Sequence, residues 1–147
     1  MTPETYMRLI RTLAHAGGCP RRQVGALLAD VHQTFLSSGV NGPPPLLVCN
    51  DAQPCAGRYD PKGNSSRCLA IHAEVRAIVA CPDLRRAHHL YVPCTPCFAC
   101  AKLILVTPIR EVWADEVYAD TSGMDLLIQQ GITIHLTERT LDGQGNS

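Results

Sequence analysis

Residues 68–106 read CLAIHAEVRAIVACPDLRRAHHLYVPCTPCFACAKLILV. Ile71, Val75, Ile78 and Val79 recur at helical spacing, which predicts a helix over 68–80 that stops at Cys81-Pro82. HHLYVP (88–93) reads as a short strand, and a second helix begins near Pro96 and runs to Thr107-Pro108. The alternation continues downstream with strand EVWAD (111–115), helix TSGMDLLIQQG (121–131) and strand ITIHLTE (132–138). Upstream, residues 3–16 place Tyr6, Leu9, Ile10 and Leu13 on one helical face behind the starting signals Thr2 and Pro3, and Gly17-Gly18 should end that helix. QVGALLAD (23–30) and TFLSSGVN (34–41) are strands joined by a hairpin-sized link. The order is α-β-β-α-β-α-β-α-β. Alternating strands and helices imply parallel crossovers, and joining them to an opening hairpin predicts an α/β fold: a mixed five-stranded sheet in a three-layer α-β-α sandwich.

The chain has 147 residues, with 13 basic and 13 acidic side chains. That length suits one domain, placed at 1–140, with 141–147 as a flexible tail. Zero net charge argues against a nucleic-acid polymer as the main partner, because such domains carry an excess of Lys and Arg. The opening MTPETYMRLIRTL lacks the pattern of a secretory leader, and no apolar run is long enough to span a membrane, so the expectation is a cytoplasmic protein without a membrane partner. Eight cysteines in such a chain point to metal or catalytic chemistry before a disulfide framework. Several of them flank or lie in the aperiodic, Pro/Gly-rich segment 42–67, a loop long enough to need a function or something that pins it.

Two segments carry the chemistry: His72-Ala73-Glu74 and Pro96-Cys97-Phe98-Ala99-Cys100. Each falls at the start of a helix, where α/β sheets place their active sites. Cys97 and Cys100 are three apart on a first helical turn, so both sulfurs share a face near the positive end of the helix dipole. His72 as third ligand gives a Cys2His set with one coordination position left for water, the pattern of catalytic zinc. Glu74 is the candidate proton carrier. Residues two apart on a regular helix point to nearly opposite sides, so His72 and Glu74 share a pocket only if His72 stands outside the helical ladder.

The H-x-E and P-C-x-x-C pair is the signature of zinc deaminases, and the sequence resembles the cytidine and deoxycytidylate deaminase superfamily. CPRRQVGALL, SSGVNGPP, CLAIHAEVRAI, LYVPCTPCFACAKLI and WADEVYAD follow the order and spacing of the deoxycytidylate branch over roughly residues 5–135. The match at Cys100-Ala101-Lys102 selects Cys97 and Cys100 as ligands and leaves Cys94 at a strand end. The resemblance implies a cytidine deaminase-like fold that converts dCMP to dUMP and ammonia for thymidylate synthesis. A zinc-held hydroxide would attack C4 of cytosine while Glu74 moves the protons. It further implies Asn41 at the sugar, the Ala73 backbone at the base, Tyr118 lining the nucleotide site, and Arg21 at the phosphate, with Arg22 the competing choice.

Val40, Arg76 and the prolines at 43–45 differ from the family pattern. Relatives in this branch also imply a second, structural zinc, here assigned to Cys19, Cys49, Cys55 and Cys68, with His15 as an alternative ligand. Homo-oligomers and regulation by dCTP and dTTP with Mg2+ belong to the same family picture. Cys81 and Cys94 are read as buried thiols, and Arg85-Arg86-Ala87-His88-His89 as an exposed turn and strand start. Two other classes share parts of the signature: deaminases of nucleic-acid bases such as tRNA adenosine, and non-catalytic zinc-binding regulatory modules.

Overall fold

Thr2 caps the first helix with its hydroxyl, which accepts the Thr5 N–H at 3.3 Å, and Pro3 opens α1 (Pro3–Ala14). The computed structural model describes residues 1–61 and 67–137; the tail at 141–147 lies outside them. After α1 come β1 (Gly25–Asp30), β2 (Phe35–Val40), α2 (Ala73–Val79), β3 (Ala87–Cys94), α3 (Phe98–Leu105), β4 (Glu111–Glu116), α4 (Ser122–Gln129) and β5 (Thr133–Leu136). A single 3-10 turn, Leu84–Arg86, leads into β3. The order of elements is the one the sequence predicts.

The strands form one sheet in the order β2-β1-β3-β4-β5. β1 is antiparallel to both β2 and β3, while β3, β4 and β5 run parallel, so the sheet is mixed. β1 is buried along its whole length, as a strand between two neighbours and two helical layers must be. On one face, Ala73, Ala77 and Ile78 of α2, Ala101 and Ile104 of α3 and Leu127 of α4 pack on Leu28, Leu90, Val92 and Val112. On the other, Tyr6, Met7 and Ile10 of α1 pack on Leu27, Ala29 and Tyr91. The result is a three-layer α-β-α sandwich. Each fully buried Leu, Ile or Val contributes about 2 kcal/mol, whereas an exposed ion pair adds about 1 kcal/mol or less, so these two layers dominate stability. The bidentate pair between Arg11 and Asp115, at 2.8 and 2.6 Å, orients α1 across β4. Among the described residues no helix is long and apolar enough to cross a membrane.

Two local expectations need correction. The helix expected over 68–80 starts only at Ala73, because Ile71 is drawn into an antiparallel bridge with Gly42 (Ile71 N–H to Gly42 O 2.7 Å, Gly42 N–H to Ile71 O 3.2 Å). Val79, counted on the apolar face, points to solvent. The run 85–89 is not uniformly exposed either: Arg85 is exposed, but His89 is buried under the α1 side of the sheet. Arg76, which differs from the family pattern, donates through Nη2 to the carbonyls of Gly42 and Pro43 at 3.2 and 2.9 Å and ties α2 to the start of the long loop.

Candidate active site

His72 is the N-cap of α2 and Cys97 the N-cap of α3, both with extended backbone (φ −67°, ψ 148° and φ −68°, ψ 169°). His72 therefore stands outside the helical ladder, and Glu74, on the first turn, shares its pocket. The Nδ1 of His72 lies 3.2 Å from Cys100 Sγ and 3.5 Å from Cys97 Sγ. A tetrahedral ion with bonds of about 2.1 Å to nitrogen and 2.3 Å to sulfur sets such atoms about 3.6 Å apart. Two thiols and an imidazole at these separations fit zinc. The backbone of Cys97 is held from behind by Gly123 of α4, where a Cβ would run into the Pro96 carbonyl and the Cys97 backbone.

The electrostatics are those of a buried, sulfur-rich pocket. The Cys97 thiol is pulled down to about 4, first by hydrogen bonding with Cys100 and then by the His72 imidazole, against the opposing effect of burial. The Cys100 thiol is pushed up, first by Cys97 and then by burial and Glu74. Hydrogen bonding to Cys97 raises His72. Glu74 is buried, with 6% of its surface exposed, and burial raises its carboxyl above the ordinary range. It also makes hydrogen-bonding contact with Cys100.

A cavity of about 420 Å3 opens over these groups, a size that suits a small organic ligand. His72, Ala73, Glu74 and Cys97 form its inner wall, and Asn41, Tyr118, Arg21 and Arg22 also line it. The structure thus brings most of the sequence-selected residues to one cleft, Cys19 and Cys68 among them, whereas Cys100, Cys49 and Cys55 do not line it. Several of them are already engaged. Asn41 accepts the Val24 N–H at 2.8 Å and donates to the Arg22 carbonyl at 2.7 Å. Arg21 donates to the carbonyls of Gly57 at 2.6 Å and Pro61 at 3.2 Å, which pins the long loop to the cleft. Arg22 reaches Glu116 at 2.9 Å and lies 6.0 Å from the Tyr118 ring centre. Thr95, whose hydroxyl accepts the Tyr118 N–H at 2.8 Å, and Arg58 also line the cavity. Arg58 pairs with Asp51 at 3.1 Å through Nη2, and its buried Nε has no hydrogen-bond partner among the described residues. Neither was legible in the sequence, since Arg58 sits in an aperiodic loop and Thr95 lacks any motif.

The loop cysteines come together pairwise: Cys49 with Cys55, Cys55 with Cys68, and Cys68 with Cys19. Cys55 donates its N–H to Cys49 Sγ at 3.4 Å. Backbone N–H groups of Leu69 and Gly57 lower the Cys55 thiol, while burial raises Cys68. Among the described residues, the sets of three or more ligand groups drawn within 4.8 Å of one another are His72, Cys97, Cys100 and His88, His89, Glu111. His15 is exposed and lines a separate recess with Asp115 and Glu116. All eight cysteines are free thiols; Cys94 is buried and Cys81 half-buried.

Comparison with known proteins agrees with this geometry. Residues 1–115 match the family described as cytidine and deoxycytidylate deaminase zinc-binding region. The deoxycytidylate deaminase of Mycobacterium phage D29 is 31% identical over 117 residues, 74% of this chain and 90% of that protein. The deoxycytidylate deaminase of Saccharomyces cerevisiae is 30% identical over 134 residues, 88% of this chain but 42% of the yeast protein. The dCMP deaminase of cyanophage S-TIM5, solved in complex with dCMP and dUMP, shares the fold with a TM-score of 0.74 at 24% identity, over 93% of this chain and 99% of that one. With the three ligand groups, the buried carboxyl and the cleft in place, the chain belongs to the cytidine and deoxycytidylate deaminase zinc-binding family.

Proposed function

We propose that this chain hydrolyses dCMP to dUMP and ammonia, supplying dUMP for thymidylate synthesis, in the cleft above His72, Glu74 and Cys97. The observation that carries the reading is the buried carboxyl of Glu74 beside a zinc-fitting His72, Cys97 and Cys100 set, at the floor of a nucleotide-sized cavity. The phage relative that this chain covers almost end to end is named for the same reaction.

His72, Cys97 and Cys100 would hold the metal, which would supply a Lewis acid that makes water nucleophilic near neutral pH. Glu74 takes a proton from the attacking water and passes it to N3 of the cytosine ring. The oxygen joins C4 as a hydroxyl, Glu74 takes the remaining proton from that hydroxyl and gives it to the amino group, and as the C4–N bond breaks ammonia leaves and the C4 carbonyl forms. A carboxyl raised by burial is suited to this work, because it holds a proton taken from water more readily than an exposed carboxylate does. The Ala73 backbone orients the base and Asn41 the sugar, while Tyr118 closes the side of the cleft. Arg21, Arg22 and Arg58 give the mouth positive charge for the 5′-phosphate, with Arg58 bringing an unpaired Nε.

The same proposal includes a structural zinc on Cys19, Cys49, Cys55 and Cys68, supported by their pairwise contacts and by the backbone N–H groups aimed at their sulfurs. It also takes in one domain over 1–140, a cytoplasmic setting that suits free thiols, homo-oligomeric assembly, and response to dCTP and dTTP with Mg2+. Zinc-loaded protein incubated with dCMP, CMP, deoxycytidine and a tRNA substrate, with products followed by chromatography, tests the substrate. The expected result is dUMP as the dominant product. Conversion of another candidate in preference to dCMP overturns it. Turnover measured with dCTP and dTTP, with the sedimentation of each mixture, tests regulation and assembly.

A further inference from the structure

The second convergence of ligand groups, at the opposite end of the sheet, is built by a backbone irregularity. Along a regular strand His88 and His89 would point to opposite faces. β1 pairs Ala29 with His89 but Asp30 with Ala87, so His88 is an extra, bulged residue. A bulge turns two successive side chains toward one side of the sheet, and here it brings both imidazoles together, with ring centres 4.7 Å apart. The parallel pairing of His89 with Glu111 sets the carboxylate beside them, and the ligand atoms of His88, His89 and Glu111 all fall within 4.8 Å of one another.

The polar contacts inside the cluster leave room for a cation. Glu111 Oε2 lies 2.9 Å from His89 Nδ1 and 3.7 Å from His135 Nε2. The indole N–H of Trp113 can only donate, and it points at His89 Nδ1 over a long 3.3 Å, favouring a lone pair there. The other ring nitrogen is 3.2 Å from the Gln33 amide nitrogen, whose oxygen accepts the Tyr91 O–H at 2.5 Å; because the Tyr91 hydroxyl can also accept, the amide can turn over and leave the ring's proton on that nitrogen. A lone pair on Nδ1 and a carboxylate oxygen this close match adjacent ligands of one ion, because bonds of about 2.1 Å at a right angle set their atoms about 3.0 Å apart. An ion there would replace the long indole contact. His135 stacks on Trp113 at 3.8 Å, and its buried Nε2 has no hydrogen-bond partner among the described residues. Glu111 keeps 31% of its side chain exposed and His135 32%, which provides an entry path.

We propose that His88, His89 and Glu111, with His135 beside them, form a binding site for a divalent transition-metal ion of the zinc, cobalt and nickel class. Imidazole and carboxylate donors suit that class, and the absence of sulfur separates this site chemically from the thiol sets. It ties the first residues of β3 and β4 together. It lies five register steps from the Cys94–Glu116 pair near the cleft, about 16 Å along the strands.

The test titrates cobalt(II) into full-length protein already loaded with zinc at its thiolate sites, followed by calorimetry and visible absorption. One further ion per chain is expected, with visible ligand-field bands and without the near-ultraviolet thiolate-to-cobalt band. His88→Ala and Glu111→Gln should each weaken its binding by at least about tenfold. Nickel(II) should raise the unfolding temperature of the parent protein and leave that of Glu111→Gln unchanged, with circular dichroism confirming that each variant folds. No ion beyond those held by thiolate, or cobalt binding unchanged in His88→Ala and Glu111→Gln, overturns the proposal.

Discussion

The cleft and the long loop use the same chemical groups in opposite ways. In the cleft, His72 and Cys97 cap two helices that pack on the sheet through Ala73, Ala77, Ala101 and Ile104, so the donors are held by the core. In the loop, Cys49, Cys55 and Cys68 sit on a segment without regular structure, tied down by Arg21, the Ile71–Gly42 bridge and backbone N–H groups aimed at sulfur. Donors fixed by a core keep their geometry without an ion, and the ion there serves chemistry. On the proposed reading, donors on a loop would need the ion to offset the entropy of ordering the chain, and there the ion would serve folding.

Substitutions can break that contrast. The largest effect is expected for Cys97→Ala, which should lose the cleft metal and at least about 10³-fold of turnover while its unfolding midpoint stays near that of the parent; elemental analysis, a chromatographic assay and thermal melts read the three quantities. Retained metal would move the ligand set elsewhere. Cys55→Ala should instead lower the unfolding free energy by more than about 3 kcal/mol in chemical denaturation and remove one thiolate-held ion. The half-buried Cys81→Ala is the control, and an equal loss in both would deny the loop its metal. Gly123→Ala sharpens the cleft side: the added methyl must displace the Pro96–Cys97 backbone, costing about 1–3 kcal/mol and speeding zinc loss to a chelator.

A further effect, read across pH, falls on Asp30, which lies in neither region. Its carboxyl is held at about 2 rather than 3.8, first by the Thr34 N–H and then by Arg86 and the His32 N–H. A folded-state value below the unfolded one gives stability that is present above 3.8 and lost as the pH falls toward about 2. Asp30→Asn should flatten the acid limb of the stability profile in that window, as measured by urea midpoints across pH.

The sequence reading reached unevenly into this molecule. Alternation of periodicities from 68 onward was enough for the sheet, because buried helices and strands leave distinct spacings in Ile78, Leu90, Val92 and Val112. The cleft set was legible because its donors lie close in sequence at helix starts. What was hidden depends on contacts distant in the chain. The start of α2 is set by Gly42, the fate of Arg76 by the carbonyls at 42 and 43, and the placing of His88 by a bulge against β1. Arg58 reaches the cavity through a loop whose path no local pattern encodes.

The central claim is that Glu74 moves protons in a cleft whose metal is held by other residues. Turnover of dCMP by the parent and by Glu74→Gln, measured beside the zinc content of each, tests it most directly. The account predicts unchanged zinc and a rate lower by about 10²- to 10⁴-fold. A variant that keeps its zinc and turns over at the parental rate would contradict it.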